Sequence, residues 1–391
     1  MFKFADETTL SAQQYVGVAQ AGDVTIEILP KVEGIAGATM RQNLVGMLSV
    51  ALELEISAGE VARVSTQQHG ILEVFIRLFC DKLFAQVHRG LVRRYESQEE
   101  NLQFLRGRLA VIEQTRLNLM SPERLYCRFD EFQEDNALNQ VLKAAVKLLR
   151  RTSRDLGNQK KLAELSLVFA GVSDSARQTL PWDKVSFDRI SDRYRPSYKL
   201  AELFLTNAPP DVGGGSATGF SLFFDMNVLF EEYIGRVAEA TLSATGCRIM
   251  RQGPMRNLAW DETSKKKAFT LKPDVVGMKS GQAAWIIDTK WKRLNFEKTK
   301  DGVVPADVYQ MYAYANSYAC PDVVLLYPHH PGLDGAAGVR ASYALSPPLA
   351  EARTGCTKRI RIATIDLSEL KTVASQLRST MFSLDAVGAA A

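Results

Sequence analysis

Two short stretches carry acids and a cation at a spacing suited to phosphate chemistry. Lys272-Pro273-Asp274 is followed by Ile286-Ile287-Asp288-Thr289-Lys290, which puts Asp288 fourteen residues after Asp274. In extended chain, alternate side chains point to opposite faces. Asp288 and Lys290 therefore share one face, while Ile287, Thr289 and Trp291 take the other. A Lys-Ser-Gly turn at 279–281 folds the Asp274 strand back beside it, so two carboxylates and one ammonium converge. Hard oxygen ligands at such a point suit Mg2+, which keeps several waters and bridges to substrate phosphate. The lysine is placed to orient or help deprotonate an attacking water and to stabilise charge developing on phosphorus. Burying Asp288 between Trp285-Ile286-Ile287 and Trp291 is costly without a metal or a partner. A bare Asp-x-Lys more often decorates a sheet edge, so its neighbours must decide.

Two neighbours favour chemistry. The segment from Phe224 to Ile234 reads as a helix whose buried stripe is Phe230, Tyr233, Ile234 and Val237. Glu231 borders that stripe and Glu232 faces away, which makes Glu231 the candidate for a third acidic contact. After the strands, Tyr309-Gln-Met-Tyr-Ala-Tyr314 sets Gln310 and Tyr314 four apart on one helical face. A glutamine beside a metal can hold a phosphate or the lysine; the same spacing also fits an ordinary amphipathic helix with an exposed glutamine.

The elements that must position these groups are legible from periodicity. The chain has 391 residues, 46% hydrophobic and 24% charged, enough for two domains with their own cores. Alternation over 14–31 around Gln20-Ala-Gly-Asp23 predicts a β-hairpin closed by Pro30. Helical spacing runs over 40–54, 70–98, 137–151, 159–169 and 196–207, with a short strand or turn at 104–111. Residues 207–219, Asn-Ala-Pro-Pro-Asp-Val-Gly-Gly-Gly-Ser-Ala-Thr-Gly, form a flexible loop or linker by composition. Beyond it come a helix at 227–245, strands at 269–278 and 282–292, a helix at 306–318, strands at 322–327 and 359–367, and a last helix near 368–382. The tail 386–391 is expected to be disordered. The fold class is therefore α+β: a helix-rich region at 1–206 that starts with a hairpin, a linker at 207–219, and an α/β domain at 220–391.

Cys80, Cys127, Cys247, Cys320 and Cys356 are dispersed, with neither a C-x-x-C pair nor zinc spacing, and read as reduced thiols. Acids near Met1 argue against a signal peptide, and no apolar run approaches the roughly 18 residues of a membrane span. The expectation is a soluble cytoplasmic protein with no membrane partner. The net charge of +4 only hints at nucleic acid. Lys265-Lys-Lys267, Lys292, Arg293, Lys298 and Lys300 flank the acids and could contact phosphates or form solvated loops. Arg89, Arg93, Arg94, Arg106 and Arg108 could serve a partner's surface. His329-His330, between Pro328 and Pro331, reads as a surface loop rather than a ligand pair.

In order and element type, Glu231, Asp274, Asp288, Lys290, Gln310 and Tyr314 resemble the PD-(D/E)-x-K nuclease superfamily, with the Q-x-x-x-Y element of its RecB-like branch. Ile26-Glu-Ile-Leu-Pro-Lys31, Leu102-x-Phe-x-x-Gly-Arg-Leu109, Asp135-Asn-Ala-Leu-Asn-Gln-Val-Leu142 and Phe224-Asp-Met-Asn-x-Leu-Phe-Glu-Glu-Tyr233 extend the resemblance to the McrC family over roughly 15–330. That resemblance implies a restriction-endonuclease-like domain at 220–391. It further implies Mg2+-dependent cleavage of double-stranded DNA in a 5-methylcytosine-directed restriction system. Asp274, Asp288, Glu231 and the Thr289 backbone carbonyl would then hold the metal, with Lys290 and Gln310 completing the catalytic set. The resemblance also implies that the 1–206 region docks on a hexameric McrB-like AAA+ GTPase and stimulates its GTP hydrolysis. No G-x-x-x-x-G-K-[ST] loop occurs in the chain, so it is not the nucleotide hydrolase by that route. Two alternatives stay open: an adaptor that activates the GTPase with little cutting of its own, and a nuclease subunit of a related system reading an unmodified sequence.

Overall fold

The computed structural model describes residues 2–4, 10–12, 14–22, 24–30, 37–56, 59–61, 70–207, 219–243, 246–295, 297–345 and 358–388. Most of the Gly-rich 207–219 stretch lies outside them, as do His69, Cys356 and residues 389–391. The architecture is mixed α/β, consistent with α+β. The chain divides into two compact units, one of residues 1–19, 25–68 and 223–391, the other of 20–24 and 69–222. Residues 25–68 thus group with the C-terminal half, whereas the sequence reading kept 1–206 together.

The first unit is built on a six-stranded mixed sheet. Its order is Gly338–Ala344, Arg359–Ile365, Asp322–Pro328, Gln282–Thr289, Val275–Lys279, Arg248–Arg251. Gln282–Thr289, Asp322–Pro328 and Arg359–Ile365 run parallel, and the outer neighbours pair antiparallel. The parallel strands are buried almost throughout, as strands covered on both faces require; Asp322–Pro328 is largely apolar, whereas Arg359–Ile365 buries Arg361 in an ion pair with Asp322. On one face Val276, Ile286, Val323, Leu325, Ile360 and Ile362 join Met311, Tyr314 and Ala315 of the helix Pro305–Ser317 in one core. The helices Met226–Leu242 and Val373–Gly388 also pack on this sheet. The helix Gly37–Ala51 lies against Met226–Leu242, with Arg236 Nε donating to the Ala51 carbonyl at 3.0 Å. Asn43 Nδ2 donates to the carbonyls of Leu367 (2.9 Å) and Ser368 (3.1 Å). These contacts tie residues 37–51 to the end of the chain. Gly277 pairs across the ladder with Trp285, whose ring lies 2.2–2.7 Å from where a Cβ would sit, so only glycine fits.

The second unit is helical, built from Ile71–Val87, Ala137–Thr152, Leu156–Val168 and Arg195–Asn207, with a three-stranded sheet of Arg94–Leu102, Leu125–Gln133 and Arg108–Leu109. A buried polar knot starts its central helix. Asn136 and Asn139 both donate to the Val92 carbonyl at 2.8 Å and to the Glu134 carbonyl at 3.1 and 2.7 Å. Asn136 Oδ1 caps the helix by accepting from the Asn139 amide at 3.2 Å. Beside it Asp135 accepts from Gln140 Nε2 (2.8 Å), the Ser173 amide (3.0 Å) and the Ser173 hydroxyl.

Several expectations are corrected. The helix read over 70–98 stops at Val87, and Arg94–Leu102 is a strand pairing along its whole length with Leu125–Gln133. Cross-strand pairing overrides a stretch whose composition permits either state. The single strand read over 269–278 is two. Lys266–Leu271 pairs with Arg256–Asp261 in a separate ribbon, and Val275–Lys279 joins the large sheet. Pro273 has no amide to give a ladder, which explains the break. Strands at 248–251, 256–261 and 338–344 went unread. His330 is buried and bonded to the Leu294 carbonyl at 2.9 Å rather than lying on the surface. The last helix takes in 386–388 of the tail expected to be disordered.

Candidate active site

Asp274 sits at the break between ribbon and sheet, immediately before Val275. Asp288 is the penultimate residue of its strand, and Lys290 follows the strand's end. Alternation puts Asp288 on the Ile286 side, under the helix Pro305–Ser317, and there it is only 1% exposed. Lys290 Nζ forms an ion pair with Asp288 Oδ2 and donates to Gln310 Oε1 at 3.1 Å. Gln310 Nε2 reaches Asp288 Oδ1 at 3.4 Å and the Tyr314 hydroxyl at 2.8 Å. That hydroxyl in turn donates to the Lys272 carbonyl at 3.1 Å. A chain of contacts thus runs from the Asp274 loop through Tyr314 and Gln310 to the lysine. On the opposite face Trp291 packs edge-on against Phe230, the residue before Glu231, with ring centroids 5.4 Å apart.

The structure brings together Asp274, Asp288, Lys290, Gln310 and Tyr314, and it brings Glu231 near enough for Asp274 to act on its charge. It also adds partners that sequence reasoning missed. Thr289 donates to Asp274 Oδ2 through its amide (2.7 Å) and its hydroxyl (2.8 Å) and so fixes that carboxylate. The Gln252 amide donates to the Asp274 carbonyl at 2.8 Å, and Gln252 Nε2 to Glu231 (3.1 Å) and Glu232 (2.9 Å). Glu232 also pairs with Arg251. Lys292 is held by Asp307 at 2.8 Å. Among the arginines considered for a partner, Arg93 and Arg106 pair with Glu134 and Glu131, and Arg94 bonds Ser186.

The electrostatics follow from burial and crowding. Asp288 is pushed above the ordinary carboxylate range by burial and by Asp274, with Lys290 opposing. Asp274 is raised by burial despite the two Thr289 hydrogen bonds. Glu231 is raised to about 7 by burial and the Asp274 charge. Lys290 would be lowered by burial, but Asp288 and its neighbours hold it above its ordinary value. Three acids that resist ionising beside one another form a site short of positive charge.

Among the described residues, no three or more His, Cys, Asp or Glu side chains stand grouped as a ready-made metal cage. Thr289 and Gln252 hold two of the three acids. The donor set still fits Mg2+, which takes one or two carboxylates and completes its shell with water and phosphate. Asp288 Oδ2 is buried, with the Lys290 ammonium as its close partner. No helix among the described residues is long and apolar enough to cross a membrane.

Comparison with known proteins bears on all of this. Residues 10–328 match the family described as McrBC 5-methylcytosine restriction system component. The chain is similar to one in a half-complex from a tetradecameric assembly of Thermococcus gammatolerans McrB AAA+ hexamers with bound McrC. Identity is 23%, coverage 96% of this chain and 84% of that one, and the TM-score 0.67, a likeness of fold. It is also similar to a chain of the Thermococcus gammatolerans McrBC complex, at 31% identity over 60% of this chain and 68% of that one, TM-score 0.48. No curated protein matches significantly.

Proposed function

The chain belongs to the McrBC family of 5-methylcytosine restriction system components, and on that premise we propose that it is the system's Mg2+-dependent DNA endonuclease subunit, with a PD-(D/E)-x-K site. The observation that carries the reading is the buried Asp288–Lys290 pair locked by Gln310 and Tyr314 beside Asp274. Asp274 and Asp288 would hold Mg2+, with Glu231 and the Thr289 carbonyl beside them. The ion would polarise the scissile phosphate and offset its charge. Lys290, held by Gln310, orients the attacking water and takes up negative charge as the phosphodiester bond breaks. Thr289 keeps Asp274 in place, and the aliphatic floor of Ile286 and its neighbours excludes bulk water.

The helical unit supplies docking to an AAA+ GTPase partner, which the McrB-bound architecture of the similar Thermococcus structure suggests. Between the long strands Arg94–Leu102 and Leu125–Gln133, the side chains of Phe104, Leu105, Val111, Ile112, Leu119 and Met120 are all exposed. Exposed apolar side chains gathered in one segment suit a protein partner. The test is plasmid cleavage with Mg2+, the partner and GTP, on methylated and unmethylated DNA. Cutting that needs methylation, partner and GTP, and that Asp288→Ala abolishes, supports the reading. Cleavage surviving in Asp288→Ala refutes the site. Equal cutting of both DNAs would point to a system reading unmodified sequence, and stimulation of GTP hydrolysis with no cutting to an adaptor.

A further inference from the structure

Beyond its base, the ribbon formed by Arg256–Asp261 and Lys266–Leu271 has no cover among the described residues. Each residue of its first strand is exposed, and in its second strand only Ala268 and Leu271 are partly shielded. Two strands alone are marginal in water, and this pair carries large apolar groups in the open: Leu258 and Trp260 at 55% exposure, Phe269 at 75%. The register places Trp260 opposite Lys267 and Arg256 opposite Leu271, with Leu258 and Phe269 between them. One face therefore carries Leu258 and Trp260 with Arg256 and Lys267, while Phe269, at φ 54°, departs from the extended pattern. The other carries Asn257, Thr270, Asp261 and Lys266, with Thr270 bonded to Asn257 at 3.1 Å.

The ribbon's base is fastened to the candidate site. The Tyr318 hydroxyl donates to the carbonyls of Pro254 (2.5 Å) and Leu271 (3.2 Å), closing the two strand ends on the helix that bears Gln310. Arg256 donates to the Ser317 carbonyl and lies 4.9 Å over the Tyr318 ring. One strand enters from Gln252, which bonds Asp274 and Glu231, and the other leaves through Lys272 to Asp274. At the free end, the turn is held by Thr263 and Ser264 donating to Asp261, so that carboxylate is already engaged. Residues 255–272 carry Arg256, Lys265, Lys266, Lys267 and Lys272 against Asp261 and Glu262 alone.

We infer that this ribbon is a duplex-DNA clamp, with Trp260, Phe269 and Leu258 against a groove and Lys265–Lys267 on the phosphates flanking the cut. Three points favour this occupant: the excess of cations, the anchorage to the acids proposed to cut, and the fit of a two-stranded ribbon to the major groove. The inference rests on the nuclease reading, so its test separates binding from cutting.

The full chain, alone and with its partner, is titrated onto a fluorescent duplex in Ca2+ across a range of salt. Lys266→Glu/Lys267→Glu is expected to weaken binding about tenfold or more and to lower the slope of log affinity against log salt by about 2. Trp260→Ser/Phe269→Ser is expected to weaken binding with the slope unchanged. Unaltered thermal melts and GTPase stimulation show that both variants are folded. Wild-type affinity in both variants overturns the clamp, as does a wild-type chain that binds no duplex alone or with partner. An altered oligomeric state with DNA affinity unmoved also overturns it and makes the ribbon a protein interface. Binding that behaves as expected in a chain that never cuts leaves the clamp standing and removes the nuclease reading.

Discussion

In the helical unit Asn136 and Asn139 meet around the Val92 and Glu134 carbonyls with Asp135 beside them; in the sheet unit Asp274 and Asp288 meet around Lys290, with Glu231 next to Asp274. Both clusters are polar, with Asn136 and Asn139 buried in the first and Asp288 in the second. In the first, every amide nitrogen has a carbonyl and only Asn139 Oδ1 lacks a partner. The Asp135 carboxyl, which burial alone would push up, is drawn below its ordinary range by Ser173 and Gln140. In the second, acids crowd acids and are raised. A satisfied polar cluster specifies structure, and a frustrated one stores binding energy for something absent from the fold.

The strongest way to break this contrast is Asp288→Asn. It should cost cleavage about 1,000-fold or more, because several kcal/mol of charge stabilisation go with the carboxylate. It should leave the melting temperature no lower than wild type, because a buried, repelled charge has gone. A clear drop in melting temperature would put Asp288 in the same class as the asparagines. Asn139→Ala should do the reverse, destabilising by about 2–3 kcal/mol in denaturant titrations while cutting per folded molecule is kept. Gln310→Ala should lower turnover roughly tenfold with little change in KM, since the lysine stays but loses its orienting contact. Single-turnover kinetics reads this directly.

The smallest effect concerns acid. A carboxyl with a depressed folded-state pKa contributes stability above its unfolded value of 3.8, and that contribution fades as pH falls toward the depressed value. Wild type should therefore exceed Asp135→Asn by about 1 kcal/mol near neutrality. The gap should close below about pH 4 in melts taken across pH.

The frustrated cluster was more legible in the sequence than the satisfied one. Asp-x-Lys at strand spacing, with the glutamine and tyrosine one helical turn apart, reads directly as shared faces, because periods of 2 and 3.6 are local rules. Gln252 was not legible, since its role depends on a strand pairing between 248–251 and 275–279 that no local signal announces, and alternation had set the Thr289 side chain on the face away from Asp288 and Lys290. Asp135-Asn-Ala-Leu-Asn139 was noticed as a motif, but its reason, a carbonyl forty-odd residues upstream, appears only in the fold. Lys272-Pro-Asp was read as part of one strand, although Pro273 marks the parting of ribbon and sheet.

The parallel pairing of Asp322–Pro328 with Arg359–Ile365 has a consequence for the chain's synthesis. The strand bearing Asp288 lies next in that order, and Asn43 reaches across to Leu367 and Ser368. The sheet therefore closes only once Arg359–Ile365 has been made, roughly 4–15 s after Lys290 at ordinary elongation rates. Until then the sheet that carries the acids and the lysine lacks its outer flank.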